Sequence, residues 1–233
     1  MIKTGLDGVD IDWEDSGALE IKKYRGEEWL IKLTNRLRDR LPHHIITHAP
    51  QAPYFMGTSK YPNNGYLKVH QEVGSKIDFY NVQFYNQGTT SYLHFSGLFK
   101  KSGGWAHGTS VNEIASKGIP LEKIVVGKPA SSSDAYESSS LMNPQDLNKT
   151  FVKAHQFNGW KTGMMEWQFI SDSDSAKMDM ALSGLMNLLD QSQTEPNRNG
   201  KPTFFSTFSE QNGLANWGGK GPKEVFPFQK EGV

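Results

Sequence analysis

Apolar residues gather in five short runs, and each run leads into a stretch with helical spacing. The first, Gly5 to Trp13, carries Leu6, Val9 and Ile11 with acids in the gaps. The second, Ile45-Ile46-Thr47-His48-Ala49, is stopped by Pro50; the others are Ile77 to Tyr85, Lys123 to Gly127 and Gly163 to Trp167. Trp29, Leu33, Leu37 and Leu41 recur at i+4 steps, which predicts a helix over Glu27 to Leu41 with one apolar face, closed by Pro42. Further helices are predicted at Tyr66 to Val73, Tyr92 to Lys100, Val111 to Lys117, Pro144 to His155 and Ala176 to Leu189. Strands alternating with helices at this spacing imply parallel β-α units and an α/β fold.

The pattern breaks after residue 190. Gln191 to Val233 is rich in Gly, Asn, Lys and Pro, with scattered rings such as Phe204, Phe208 and Trp217 and no period. It is expected to be an irregular tail behind a catalytic unit at 1–190, or alternatively an aromatic sugar-binding appendage.

Composition narrows the function classes. The 233 residues hold 25 Lys+Arg against 25 Asp+Glu, so there is no global field to hold a phosphate backbone or an anionic membrane surface. No nucleic-acid or membrane partner is expected, and no run approaches the length of a membrane span. The absence of cysteine excludes disulfides, thiolate chemistry and Cys-ligated zinc. His44 and His48 stand four apart, but on a strand they do not converge, so no metal and no cofactor is expected. Met1-Ile2-Lys3-Thr4 lacks the apolar stretch of a signal peptide, so localisation is unknown from this chain. Asn148-Lys149-Thr150 is a glycosylation acceptor only in a secreted protein.

The informative segment is Asp7-Gly8-Val9-Asp10-Ile11-Asp12-Trp13-Glu14. Side chains alternate along a strand, so Asp10, Asp12 and Glu14 are expected on one face. Three crowded carboxylates raise at least one pKa, as a general acid near neutral pH requires. An acidic strand end in solvent, or one holding a cation, is the plainer reading. The bracketing apolar residues argue against it, because buried unpaired acids are costly.

The Asp-x-x-Asp-x-Asp-x-Glu pattern after an apolar lead-in resembles the signature of glycoside hydrolase family 18, the retaining chitinases. Later segments resemble the family in order: Thr47-His48-Ala49-Pro50-Gln51-Ala52-Pro53, Val82-Gln83-Phe84-Tyr85-Asn86, Val126-Gly127-Lys128-Pro129-Ala130 and Gly163-Met164-Met165-Glu166-Trp167. Lys128 departs from it, since the family often has an apolar residue there. The resemblance implies a (β/α)8 TIM barrel with its site at the carboxyl ends of the strands. It makes Glu14 the general acid, Asp12 the group that orients the substrate's acetamido, Asp10 its proton-sharing partner and Tyr85 the donor to the acetamido oxygen. Gln83 would line the pocket, with Asn86, Ala49 and Gln51 as further substrate contacts, and Trp167 would be the apolar floor. Asp7 and Gly8 would be structural.

The implied activity is retaining, substrate-assisted hydrolysis of chitin or N-acetylglucosamine oligosaccharides. The alternatives are an endo-β-N-acetylglucosaminidase acting on N-glycans and a non-catalytic chitin-binding module. The family places the acidic motif on barrel strand four, yet here it begins at Asp7, so the chain resembles the last five β-α units of an incomplete barrel. It is read as a product of a longer chitinase, or else a natural short chain. Family resemblance suggests secretion if a longer form carries a signal. Open sheet edges would favour self-association and weaken activity.

Overall fold

A computed structural model describes residues 6–136, 140–168 and 176–192, together with 206–209 and 214–217. Five parallel strands form one sheet in sequence order: β1 (Gly8–Ile11), β2 (Ile45–His48), β3 (Phe79–Gln83), β4 (Ile124–Pro129) and β5 (Met164–Trp167). The connections are helical: α1 (Ser16–Glu20) and α2 (Gly26–Arg40) after β1, α3 (Gly65–Val73) after β2, α4 (Val111–Ser116) after β3, α5 (Pro144–Asn158) after β4 and α6 (Ala176–Ser192) after β5. This is a half-barrel, an incomplete TIM barrel, in which β1 and β5 are the edges. A separate two-stranded antiparallel pair, β6 (Ser206–Ser209) with β7 (Leu214–Trp217), lies in the segment expected to be irregular; the rest of 193–233 is outside the described residues.

The two faces of the sheet differ in kind. Tyr80, Val82 and Phe84 from the third unit, Ile124 and Val126 from β4 and Met164 from β5 join one core with Leu30, Val69, Ile114, Phe151 and Leu185 from the helices. The alternate residues Asn81 and Gln83 carry amides to the opposite face, as the two-residue period of a strand requires. A Cβ on Gly127 would lie 2.7 Å from the Val82 carbonyl oxygen and 2.6 Å from Met165 Cε, so the β3–β4–β5 crossing admits only glycine there.

Three expectations are corrected. First, β1 ends at Ile11, so Asp12 and Glu14 lie beyond the strand, and Gly5 is outside the described residues. The strand is also an edge rather than a buried one: Leu6 is 54% exposed. Second, α2 buries Glu27, Leu30 and Thr34, not the Trp29–Leu33–Leu37–Leu41 stripe, whose members are partly buried or, for Trp29, exposed. Buried Glu27 is accommodated because its carboxylate accepts Gly65 N (3.1 Å) at the start of α3 and Asn63 Nδ2 (3.4 Å). Trp29 instead packs on Trp13, ring centroids 4.7 Å apart. Third, Tyr92 to Lys100 is helical only at Ser96–Lys100, as one π turn; at Gly97 a Cβ would come within 2.6 Å of the Ser91 carbonyl oxygen. In the Asn148 acceptor triplet, which lies within α5, the Asn148 amide donates to Met180 O and Ser183 Oγ of α6, both at 2.7 Å.

Candidate active site

Parallel strands are about 4.8 Å apart, so β1 and β3 are separated by the full width of β2. Curvature of the sheet nonetheless brings their side chains together on the concave face. Asp10 pairs in register with Thr47 of β2, whose hydroxyl donates to Asp10 Oδ1 at 2.6 Å, and Asn81 of β3 donates to Asp10 Oδ2 at 3.3 Å. One layer further toward the carboxyl ends, Gln83 Nε2 lies 3.0 Å from Asp12 Oδ1, 3.4 Å from Glu14 Oε1 and 2.9 Å from the Ala49 carbonyl oxygen. One amide thus gathers the two acids that follow the strand.

Glu14 is held by the residues on either side of it. Trp13 donates its indole N–H to Asp15 O at 3.1 Å while packing tilted against Trp29. Asp15 caps α1, its side chain accepting Ala18 N at 3.0 Å. Ser16, first in α1, shares a 2.8 Å hydrogen bond with the Tyr54 hydroxyl. The chain beyond β1 is therefore fixed by a cap, a packed indole and a hydroxyl pair.

Electrostatics follow from this crowding. Burial pushes Asp12 up to about 6, the negative charges of Glu14 and Asp10 add to the rise, and the Gln83 hydrogen bond works against it. Burial also raises Asp10, opposed by its bonds to Thr47 and Asn81. Burial raises Tyr85 well above the ordinary phenol value, reinforced by the charges of Asp12 and Glu14, so its hydroxyl keeps its proton and remains a donor beside both acids. Tyr54 rises to about 12, first from burial and then partly from Glu14 and Asp12.

Of the residues predicted from sequence, Asp12, Glu14 and Ala49 meet at Gln83, with Asp10 and Tyr85 in electrostatic range of Asp12. Gln51 bridges backbone to backbone with Gln83 beyond β2, and its side chain accepts Gln87 Nε2 at 3.4 Å. Asn86 adopts a left-handed conformation (φ 58°) and turns toward the next loop: its amide donates to Ser140 Oγ and its side-chain oxygen accepts Tyr136 N, both at 2.9 Å. Trp167 stands apart on β5, 46% exposed, its carbonyl accepting Ala130 N at 2.6 Å. Asp7 O accepts Ile45 N at 3.0 Å and so opens the β1–β2 pairing, and at Gly8 a Cβ would run into the Ile45 backbone.

Sequence reasoning missed Thr47 and Asn81 as the partners of Asp10, and Tyr54 and Ser16 beside Glu14. Asn81 was within reach, since stepping back by two from Tyr85 and Gln83 lands on it. His48, considered as a metal ligand, is fully buried between Thr34 Oγ1 (3.1 Å) and the Tyr66 hydroxyl (3.2 Å) on the other face. Among the described residues no group of three His, Asp or Glu is placed to hold a metal ion, and no helix is long and apolar enough to cross a membrane.

The family model for glycosyl hydrolases family 18 matches residues 1–211. No curated protein matches the chain. Among solved structures, a GH18 chitinase from Pseudoalteromonas aurantia is 34% identical over 78% of this chain and 61% of its own, with a TM-score of 0.60. A fungal endo-β-N-acetylglucosaminidase of family 18 is 23% identical (79% of this chain, 56% of its own, TM-score 0.54). A class V chitinase mutant from the plant Cycas revoluta, in complex with (GlcNAc)3, is 15% identical (78% and 69%, TM-score 0.53). The last two show the shared fold alone. This chain spans less than two thirds of the length of the first two. By the family model and the 34% identity together, the chain belongs to glycosyl hydrolases family 18.

Proposed function

We propose that this site hydrolyses β-1,4-linked N-acetylglucosamine polymers with retention, by substrate-assisted catalysis. The reading rests on one observation above all: a single buried amide, Gln83 Nε2, lies against both Asp12 and Glu14, with the protonated Tyr85 hydroxyl close to both charges. In this reading the substrate's acetamido oxygen attacks the anomeric carbon as the glycosidic C–O bond breaks. Glu14 delivers its proton to the departing oxygen, giving an oxazolinium-like intermediate. Asp12 holds the acetamido N–H and balances the positive charge, and Tyr85 donates to the acetamido oxygen. Water then attacks the anomeric carbon, losing its proton to Glu14, which restores the acid. Asp10, tied to Thr47 and Asn81, keeps a negative or shared-proton partner beneath Asp12. Trp167, half exposed on β5, offers an apolar face for a sugar ring.

This mechanism demands an N-acetyl group at the cleaved position. NMR of the products of an N-acetylglucosamine oligomer is expected to show the newly formed end in the β configuration, and a deacetylated oligomer is expected to be untouched. Cleavage of the deacetylated oligomer, or inversion, would overturn it. Glycan release from a glycoprotein with chitin oligomers left intact would instead assign the endo-β-N-acetylglucosaminidase activity.

A further inference from the structure

Among the described residues Lys128 is the largest fully buried charged side chain, and it has no role in the chemistry above. It sits on β4, is 0% exposed, and donates from Nζ to the carbonyl oxygens of Phe84 (2.9 Å) and Tyr92 (3.0 Å). Phe84 lies one residue past β3 and Tyr92 lies in the following loop, so neither carbonyl belongs to the sheet ladder. Burying an amine is costly, and two backbone carbonyls are the partners that offset the cost. Burial lowers its pKa to about 7, and an amine carries N–H donors in either protonation state.

The stretch that Lys128 closes runs from Phe84 to Tyr92 and carries Tyr85, Asn86 and Gln87. Its other end is anchored independently: the Phe84 and Tyr92 rings meet edge to face at 5.1 Å, and the Tyr92 hydroxyl pairs with Thr109 Oγ1 at 2.6 Å. A cavity of about 20 Å3, lined by Tyr85, Thr90, Lys128 and Ser140 among others, lies beneath the stretch. Tyr85 is thus the residue immediately after one of the two carbonyls that the amine holds, on the face where Asp12 and Glu14 meet.

We propose that Lys128 is a positioning residue for Tyr85, acting as a two-point clip that fixes the 84–92 stretch from behind the sheet. The Phe84 carbonyl sets the plane of the Phe84–Tyr85 peptide, and with it the direction of the Tyr85 side chain. An apolar residue at position 128 leaves both carbonyls without this donor and frees that plane to rotate. This inference rests on the hydrolase reading for its catalytic consequence, but not for the clip itself.

The test compares Lys128→Met, Lys128→Gln, Tyr85→Phe and the Lys128→Met/Tyr85→Phe double variant on an N-acetylglucosamine oligomer, with hydrogen exchange of each. Lys128→Met is expected to lower kcat about 10–100-fold with KM changed far less, because misplacing one transition-state donor costs about this much. The double variant is expected to be no slower than Tyr85→Phe alone, since both remove one interaction. Faster amide exchange is expected at 84–92 and not in the β1–β2 pairing. Lys128→Gln, which keeps one donor, covers the case in which the Met variant fails to fold, and is expected to recover part of kcat. Multiplicative losses in the double variant, or unchanged exchange at 84–92, overturn the proposal. If the unmodified chain hydrolyses nothing, the hydrolase reading fails, and the exchange measurement still decides the clip.

Discussion

The Gln83 amide nitrogen lies 3.0 Å from Asp12 Oδ1, across the whole width of β2, and it is the same nitrogen that approaches Glu14 at 3.4 Å. A central strand thereby gathers the two acids that follow an edge strand. Gln83→Leu keeps the volume and removes the donor. Hydrogen bonds to charged groups are worth about 1.5–3 kcal/mol, so kcat/KM is expected to fall about 10–100-fold. Because the amide holds the Asp12 pKa down, its loss is expected to move the pH–rate profile to higher pH. A profile that stays in place would separate Gln83 from Asp12.

In the proposed mechanism the acid cluster sets the pH dependence of the rate. A bell-shaped profile in mildly acidic solution is expected, because Glu14 must be protonated while the Asp10/Asp12 pair carries charge. The limbs belong to the coupled group rather than to single residues. A flat profile from about pH 4 to 9 would be incompatible with this chemistry.

The same acids tax stability. Asp12 has its folded pKa raised from 3.8 to about 6, so its contribution is most favourable below about 3.8 and is lost as pH rises through about 6. Asp12→Asn carries no charge at any pH. It is expected to raise Tm at pH 8 and to lose that advantage by pH 4, while abolishing most activity. An unchanged Tm at both values would mean that the carboxylate is not strained in the fold.

His48 acts in the opposite sense. Burial lowers its pKa from 6.5 to about 4, and it sits neutral between Thr34 and Tyr66. The unfolded chain takes up a proton first, so this group costs stability as pH falls from 6.5 toward 4, by roughly 3 kcal/mol in all. His48→Gln is expected to flatten the acid side of the Tm profile. A profile as steep as that of the unmodified chain would assign the loss to other groups.

Much of the fold was legible because its signals are local. Each strand is an apolar run ended by Pro, Gly or a polar turn, and the observed strands fall within one or two residues of those runs except at β1. There the apolar residues Leu6, Val9 and Ile11 implied burial, but β1 pairs on one side only, and the strand ends at Ile11. The α2 face was misread for a related reason. The i+4 stripe through Trp29 is real, yet beside an edge strand the tighter packing goes to Leu30 and Thr34, and a buried Glu27 is held by α3 in a way no local pattern records. The acids themselves were plain in the sequence. The pairing of Asp10 with Thr47 and Asn81 was not, because those contacts cross strands that are distant along the chain, although the strand period places Asn81 on the face of Gln83.

The β3–β4 crossing offers a check on the sheet that supports the site. Gly127 pairs in register with Gln83, and a Cβ there would press on the Val82 carbonyl. Gly127→Val is expected to destabilise the chain by about 1–3 kcal/mol, the usual cost of overpacking, and to lower activity through Gln83. Denaturant unfolding measures the first effect. An unaltered midpoint would show that the strands can part without cost.

The most direct measurement is the hydrolysis rate of an N-acetylglucosamine oligosaccharide by Glu14→Gln beside the unmodified chain. The substitution keeps size and hydrogen-bonding capacity and removes only the transferable proton. A loss of about 10²–10⁴-fold in kcat, with binding of the oligosaccharide retained, is the expected result for a general acid. Hydrolysis by Glu14→Gln at the rate of the unmodified chain would contradict the assignment of this site as a family 18 catalytic centre.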